Sequence, residues 1–504
     1  MVYTFFFLFL TNHDGSPTMQ KKFITNLALI LLLNLLVKPF YILGIDAEVL
    51  KRVEETTPGR YGEYFALIGF TFILNIFLDL GVINYNTRNI AQNKQLLKKH
   101  FAGIITLRGL LSVGYIVIIL LSGFILGYSS FQLKLLLILG INQILVAFIL
   151  YFRSNLSGLL LFKQDSIISV MDRALLIGIC SILLWGGVTS QPFQIEWFIY
   201  AQTGAYLFTA IVAGLLVLRQ TGIVKPKFDM AFSITILKQS LPYALLILLM
   251  MVYYRSDSVM IERMLPNGAR ESAIYAQGFR FFEAVNMIGF LFAGLLLPIF
   301  SKMLKAKEPV EKMVYLSFKI LFSGAIVIGI TCFALSKEII EWRYQTSGVE
   351  LTQASNAFGI LMLCFISICT TYIFGTLLTA NGSLRSLNYM AFGGVILNIS
   401  LNIYLIPTHG AYGAAIASLI TQVGTAAIQV ILSFNILRLK IEWKSVLQTF
   451  SFVTVFGCIV YFLPYQNYFW TWNLVIFISS GLILSLITGM FSIKNLLKIL
   501  KERQ

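Results

Sequence analysis

The sequence predicts an all-α polytopic membrane protein with about fourteen transmembrane helices. Three observations carry this. The 504 residues are 58% hydrophobic and only 12% charged, with a mean hydropathy of +0.82, a balance that soluble domains do not have. The apolar runs reach the roughly 20 residues that a helix needs to cross a bilayer. The Lys and Arg residues gather in short polar stretches between runs, as loops on the cytoplasmic side do. The runs are too long for barrel strands and lack their alternation. Backbone groups in lipid must be satisfied within the segment, so the runs are helices.

Taken in order, residues 1–18 read as an amino-terminal extension, because Phe5–Leu10 is too short to span and Met19-Gln-Lys-Lys resembles a membrane-protein start. Span one covers about Phe23–Gly44 and is followed by an outer polar loop, Asp46–Gly62. Spans two to six fall at about Glu63–Ile83, Ala102–Tyr128, Phe131–Phe152, Ile167–Val188 and Trp197–Leu218. These six form an amino-terminal lobe, residues 19–220. A basic linker, 221–238, leads to a second lobe, 239–440, with spans at about Leu241–Met264, Ala273–Phe300, Met313–Leu335, Ala357–Ala380, Ser386–Ile406 and Tyr412–Leu437. Spans thirteen and fourteen, about Val446–Leu463 and Trp472–Phe491, and a basic tail complete residues 441–504. Six spans return the chain to its starting side, so two six-span lobes are parallel repeats. The loop charges place both termini in the cytoplasm. Tyr465, Tyr468, Trp470 and Trp472 form an interfacial aromatic belt.

The composition also excludes classes. A net charge of +16 held in short loops points to membrane topology rather than nucleic acid. Cys180, Cys332, Cys364, Cys369 and Cys458 sit inside apolar spans as small core residues. No histidine lies mid-span, so neither a metal site nor a histidine proton relay is expected. There is no GxxxxGK[ST] phosphate loop. The largest outer segments, Ile45–Gly62 and Ser336–Gln353, are short and hold no dense acid or histidine cluster. No catalytic residue and no cofactor are expected, and an enzyme is not.

The informative residues are charges inside spans, each costing about 2.5–3.5 kcal/mol on insertion scales. Spans seven and eight carry Arg255, Asp257, Arg280 and Glu283, and span one carries Lys38 beside Pro39. Counting residues puts Lys38, Arg255 and Arg280 at similar depth in the outer half. Three cations at one depth suit an anion, with arginine supplying a planar donor fork and lysine a point charge. Other readings stand beside this one. Arg280 and Glu283 share a helical face and can pair. Asp257 either pairs with Arg280 or Lys38, or acts with Glu283 as a coupling or counter-charge group. Lys38 can also snorkel. Asp79, Arg108, Arg153, Asp172, Arg173 and Lys319 lie nearer the inside. Arg108 and Arg173 are candidate substrate contacts and Asp172 a counter-charge, or Asp172-Arg173 forms a structural pair with Arg153 or Arg108.

Gly59-Arg-Tyr-Gly-Glu-Tyr, Phe77-Leu-Asp-Leu-Gly, Asn86-Thr-Arg-Asn-Ile-Ala, Arg153-Ser-Asn-Leu-Ser-Gly, Met171-Asp-Arg, Tyr253-Tyr-Arg-Ser-Asp-Ser-Val-Met and Ile274-Tyr-Ala-Gln together resemble Wzx-type bacterial polysaccharide flippases, from about Gln20 to Leu500. The resemblance implies the fold of the multidrug/oligosaccharidyl-lipid/polysaccharide (MOP) exporter superfamily: two six-helix bundles in a MATE-like V, with spans one, seven and eight lining the cavity, plus two carboxyl-terminal helices. It implies translocation of undecaprenyl-pyrophosphate-linked oligosaccharide across the bacterial inner membrane for surface polysaccharide, whether lipopolysaccharide O-antigen, capsule or exopolysaccharide. The expected mechanism is alternating access driven by a proton or sodium gradient. The expected partners are the anionic lipid-linked oligosaccharide, the bilayer and polysaccharide polymerase machinery. The alternative is a MATE-type multidrug or cation exporter, against which Lys38 in span one argues.

Overall fold

The computed structural model describes residues 32–80, 82, 96–159, 161–188, 190–222, 229–462 and 469–490. The extension 1–18, the start of span one, Asn86-Thr-Arg-Asn-Ile-Ala, residues 223–228 of the linker, Tyr465, Tyr468 and the basic tail lie outside them. No strand occurs among the described residues.

The first helix, α1 (32–56), contains a π-helical turn over Tyr41–Asp46. Then follow α2 (Arg60–Leu74), α3 (Ile76–Asp79), α4 (Leu96–Ile125), α5 (Ser130–Gly158), α6 (Phe162–Trp185) and α7 (Ile195–Thr221). The second half contains α8 (Met230–Met264), α9 (Gly268–Lys305), α10 (Glu311–Ala334), α11 (Ser336–Tyr344), α12 (Gly348–Ala380), α13 (Leu384–Leu437), α14 (Trp443–Phe462) and α15 (Trp470–Ile487).

Eleven helices among the described residues are long and apolar enough to cross a membrane. α13 counts as one of these yet supplies two spans. Its backbone leaves helical geometry at Gly410, with φ 55° and ψ −136°. Asn402 and Ser418 both donate to the carboxylate of Asp257, at 2.7 and 2.5 Å. In a straight helix they would stand about 24 Å apart, so the two limbs fold back on each other around Gly410. With α1 and the α2–α3 pair, the number of crossings agrees with the fourteen expected.

Hydropathy misjudged several boundaries. The expected loop Asp46–Gly62 is mostly helix, because Val49, Leu50 and Val53 bury one face of α1. α8 begins at Met230, inside the expected linker, and α9 runs beyond both ends of its apolar stretch. The polar segment after span nine folds into α11, with Ile339, Ile340 and Tyr344 inward. Trp342 and Trp470 lie 5.5 Å apart, and Trp185, Trp342 and Trp472 are exposed. Of the five cysteines, Cys458 is exposed on α14 rather than in the core.

The two halves meet closely at this α11 end. A side chain at Gly62 would overlap the Ala269 carbonyl, so α2 and α9 touch backbone to backbone. Hydrogen bonds between halves cluster there too: Gln132 to Glu262 at 2.9 Å, Lys51 to Gln345 at 2.6 Å, and Arg263 to the Leu126 carbonyl. Beneath this seal lies a cavity.

Candidate functional site

The cavity has a volume of about 230 Å³. α1 supplies Lys38, Tyr41, Ile42 and Asp46; α2 gives Tyr64, Ile68 and Phe72; α5 gives Leu139, Asn142, Gln143 and Val146. Arg173 comes from α6, Gln202 and Tyr206 from α7, Arg255 from α8, and Arg280, Glu283 and Met287 from α9. Its charged lining is four cations against two carboxylates, an excess of two positive charges.

These charges form two groups. The first is an ion chain that bridges the halves. Arg255 Nη2 meets Glu283 Oε1 at 2.5 Å, Glu283 Oε2 meets Arg280 Nη1 at 2.6 Å, and Arg280 Nε meets Asp46 Oδ2 at 2.8 Å. Tyr61 closes it, donating to Asp46 Oδ1 at 2.8 Å and accepting from Arg280 Nε at 2.9 Å. The guanidiniums also lie against rings: Arg255 is 4.7 Å from Phe72 and Arg280 is 5.0 Å from Phe65. Flat faces on aromatics and edges on carboxylates let arginine be buried where a lysine would not be. Two cations and two carboxylates leave this chain neutral.

The second group holds the excess charge. Lys38 forms none of the ion pairs found among the described residues; its charged neighbours are Arg173, Arg153 and Asp172. Arg173 donates from Nη1 to the Tyr206 hydroxyl at 2.8 Å and lies 4.7 Å over Tyr41. Its nearest carboxylate, Asp172, is 3.8 Å from Nε and accepts the Arg173 backbone N–H at 2.8 Å. Around Lys38 and Arg173 stand neutral polar groups, among them Asn142, Gln143 and Gln202, with Gln202 donating to the Tyr64 hydroxyl at 2.9 Å.

Of the residues singled out from sequence, the structure brings Lys38, Arg173, Arg255, Arg280 and Glu283 to one cavity. Counting by depth had separated Arg173 from Lys38, because α1 and α6 do not run level. Asp172 stands behind Arg173 and is not part of the lining. Arg108 does not reach the cavity: it is 1% exposed, bonds Asp79, and donates to the Ala147 carbonyl at 2.8 Å. It ties α4 to α3 and α5 within the first half, away from the cavity lining. No pairing of Asp172-Arg173 with Arg153 or Arg108 is found among the described residues; Arg153 takes Asp165 at 2.7 Å. Asp46 was missed because it seemed to start a loop, whereas helix α1 carries it into the cavity wall.

Asp257 meets neither Arg280 nor Lys38. It is 1% exposed in the second half. Its Oδ1 accepts from Asn402 at 2.7 Å and Asn398 at 3.3 Å; its Oδ2 accepts from Ser418 at 2.5 Å and Tyr275 at 2.9 Å. All four donors are neutral, and no basic side chain pairs with it among the described residues. Asn402 Oδ1, beside it, is buried without a partner.

Glu54 stands at the α11 end, beyond the spans. It accepts the backbone N–H of Gly59 at 2.6 Å and of Tyr61 at 2.8 Å, capping α2. Burial, opposed by these bonds, pushes its carboxyl up to about 7. A carboxyl raised by folding stabilises the fold fully below its unfolded value, and that stability is lost as pH rises through the folded value. Melting temperature is therefore expected to fall between pH 5 and pH 8, and Glu54→Gln to flatten that fall. An identical slope in the variant refutes this.

Comparison with known proteins follows the same lines. Residues 55–304 match the polysaccharide biosynthesis protein family. An uncharacterized membrane protein of Methanocaldococcus jannaschii is 24% identical over 381 residues, covering 73% of this chain and 87% of that protein. The lipid II flippase MurJ, in an inward closed conformation, superposes with a TM-score of 0.69 at 16% identity, covering 91% of this chain and 97% of that one. An outward-facing multidrug-resistance MATE transporter gives 0.57 at 15%, covering 83% and 95%. A Pyrococcus furiosus transporter, whose binding pocket of reverse polarity suggests a different function for it, gives 0.55 at 14%, covering 83% and 95%. The chain is a multi-pass membrane protein with the fold of the MOP exporter superfamily, as its Wzx-like motifs implied.

Proposed function

From a chain that matches the polysaccharide biosynthesis family over residues 55–304 and has the MOP exporter fold, we propose a flippase for lipid-linked oligosaccharide. The substrate class is a polyprenyl pyrophosphate sugar, of the undecaprenyl type in a bacterial inner membrane, destined for surface polysaccharide and handed to a polymerase. Both termini then face the cytoplasm and the α11 end faces outward. The observation that carries this reading is the pair of cations Lys38 and Arg173 inside the cavity, with Asp172, outside the lining, as the one carboxylate beside them. Such a lining attracts a pyrophosphate and repels the cations that a multidrug exporter of the rival kind would take. The neutral amides nearby suit sugar hydroxyls, and the lipid tail stays in the bilayer.

A cavity of about 230 Å³ is below the roughly 300–1,000 Å³ of pockets that hold drug-sized ligands. An oligosaccharide therefore needs a wider cavity, which alternating access provides. The substrate enters from the cytoplasmic side, its anion meets Lys38 and Arg173, and the ion chain at the α11 end then parts. Re-closure needs a drive. Asp257, with four neutral donors and an open amide oxygen beside it, lacks a counter-charge, which is costly in a dry interior. A proton or sodium ion moving down its gradient supplies that charge.

Complementation of a flippase-deficient strain making the cognate glycan tests the function. Wild type is expected to restore surface glycan, and Arg255→Ala and Arg280→Ala to fail even where expression is raised to match the wild-type membrane abundance. No rescue by wild type with any tested glycan, alongside efflux of cationic drugs, favours the exporter reading. Asp257→Asn is expected to cut ion-driven translocation at least tenfold while leaving headgroup binding within about threefold. Unchanged driven translocation removes Asp257 from the coupling role.

A further inference from the structure

Lys38, Tyr41, Ile42 and Asp46 form one stripe of α1 facing the cavity. In an ordinary α-helix Asp46 would stand at the edge of this stripe. At about 100° per residue, the eight steps from Lys38 to Asp46 leave them about 80° apart, whereas seven steps would leave them about 20° apart. The π-turn over Tyr41–Asp46 absorbs the extra residue, since each such turn takes one more residue than an α-turn. The turn is thus what places Asp46 on Arg280.

Something outside α1 holds that turn. Arg343 on α11, from the other half of the molecule, donates from Nε to the Leu43 carbonyl at 2.9 Å and from Nη2 to the Gly44 carbonyl at 3.0 Å. Its Nη1 meets Glu48 Oε2 at 3.2 Å. In a regular helix such carbonyls point along the axis to amides four residues on. Here two successive carbonyls inside the π-turn accept a guanidinium from the side. A planar fork reaches two carbonyls and a carboxylate together; an ammonium does not.

We propose that Arg343 is a positioning residue that keeps α1 in its π register and thereby keeps Asp46 on Arg280. When α11 moves away, the turn relaxes to α geometry, and Asp46 rotates by about 100°, from the line of Lys38 to the edge of the stripe. The ion chain between the halves then loses its Asp46 link, and the α11 end opens. This device rests on the alternating-access reading above, but its test needs no substrate.

Nitroxide labels at Glu55 and Val349, both exposed at the α11 end on opposite halves, report the separation by pulsed electron resonance in nanodiscs, with the five native cysteines replaced. The wild type is expected to give mainly one short distance. Arg343→Gln and Arg343→Lys are both expected to raise the long-distance fraction at least threefold. Deleting Gly44 leaves Lys38 and Asp46 seven residues apart on a plain α-helix, with no slack to release. Combined with Arg343→Gln, the deletion is expected to restore the short distance. An unchanged distribution in both Arg343 variants overturns the proposal, as does a Gly44 deletion that opens as freely as Arg343→Gln alone. No translocation of a lipid pyrophosphate sugar by the wild type, with the short distance and its release by Arg343→Gln both observed, would instead count against the flippase reading.

Discussion

Lys38→Glu is expected to abolish binding of a polyprenyl pyrophosphate sugar. One unit charge about 4 Å from the headgroup, at an effective dielectric of about 20, is worth up to about 4 kcal/mol. Each 1.4 kcal/mol is about tenfold in affinity. Allowing for water in the cavity, Lys38→Ala is expected to weaken binding on the order of a hundredfold. Lys38→Glu replaces attraction with repulsion and should leave no measurable binding, while Lys38→Arg retains most of it. Because Lys38 forms no ion pair among the described residues, these changes remove little internal support. Titration of purified protein with a fluorescent lipid pyrophosphate sugar checks the series, and equal affinities across it would refute the anchor role.

Arg280→Ala is the change with the largest expected cost to the fold. It strands the buried carboxylate of Asp46, leaves Glu283 with Arg255 alone, and removes the middle of the chain that joins the halves. Removing one member of a buried ion pair costs about 3–5 kcal/mol. Midpoint temperature in detergent and membrane abundance should both drop. Arg280→Met with Asp46→Leu keeps the Arg255–Glu283 pair, leaves no stranded charge and should recover much of the loss, because an apolar replacement of a buried ion pair is often neutral. A double variant no more stable than Arg280→Ala contradicts this account of the cluster.

Much of this was legible in the sequence because lipid imposes a simple rule on composition. Apolar runs of sufficient length had to be helices, and the number of crossings followed. The Arg280–Glu283 pair was visible from its three-residue spacing, and Arg255 and Lys38 from the cost of a charge inside a span. What stayed hidden depends on how helices turn and stagger. Arg173 looked too deep to join Lys38, and Arg108 looked available although it was committed to Asp79. The π-turn leaves no mark in hydropathy, so Asp46 seemed a loop residue. Asn398 and Asn402, four apart in an apolar span, were a signal that could have marked the Asp257 site: two amides on one helical face in lipid need a polar companion. The companion itself, Asp257, comes from the packing of α8 on α13, and Ser418 from the reversal at Gly410.

The most direct test of the cationic-cavity claim compares two lipids in proteoliposomes of this protein. One carries its sugar through a pyrophosphate; the other joins the same sugar and tail by a neutral linkage. Under an imposed ion gradient, the pyrophosphate lipid is expected to cross at least a hundredfold faster than the neutral one, and Lys38→Ala to erase most of that difference. Equal crossing of both lipids, unaffected by Lys38→Ala, would contradict the account.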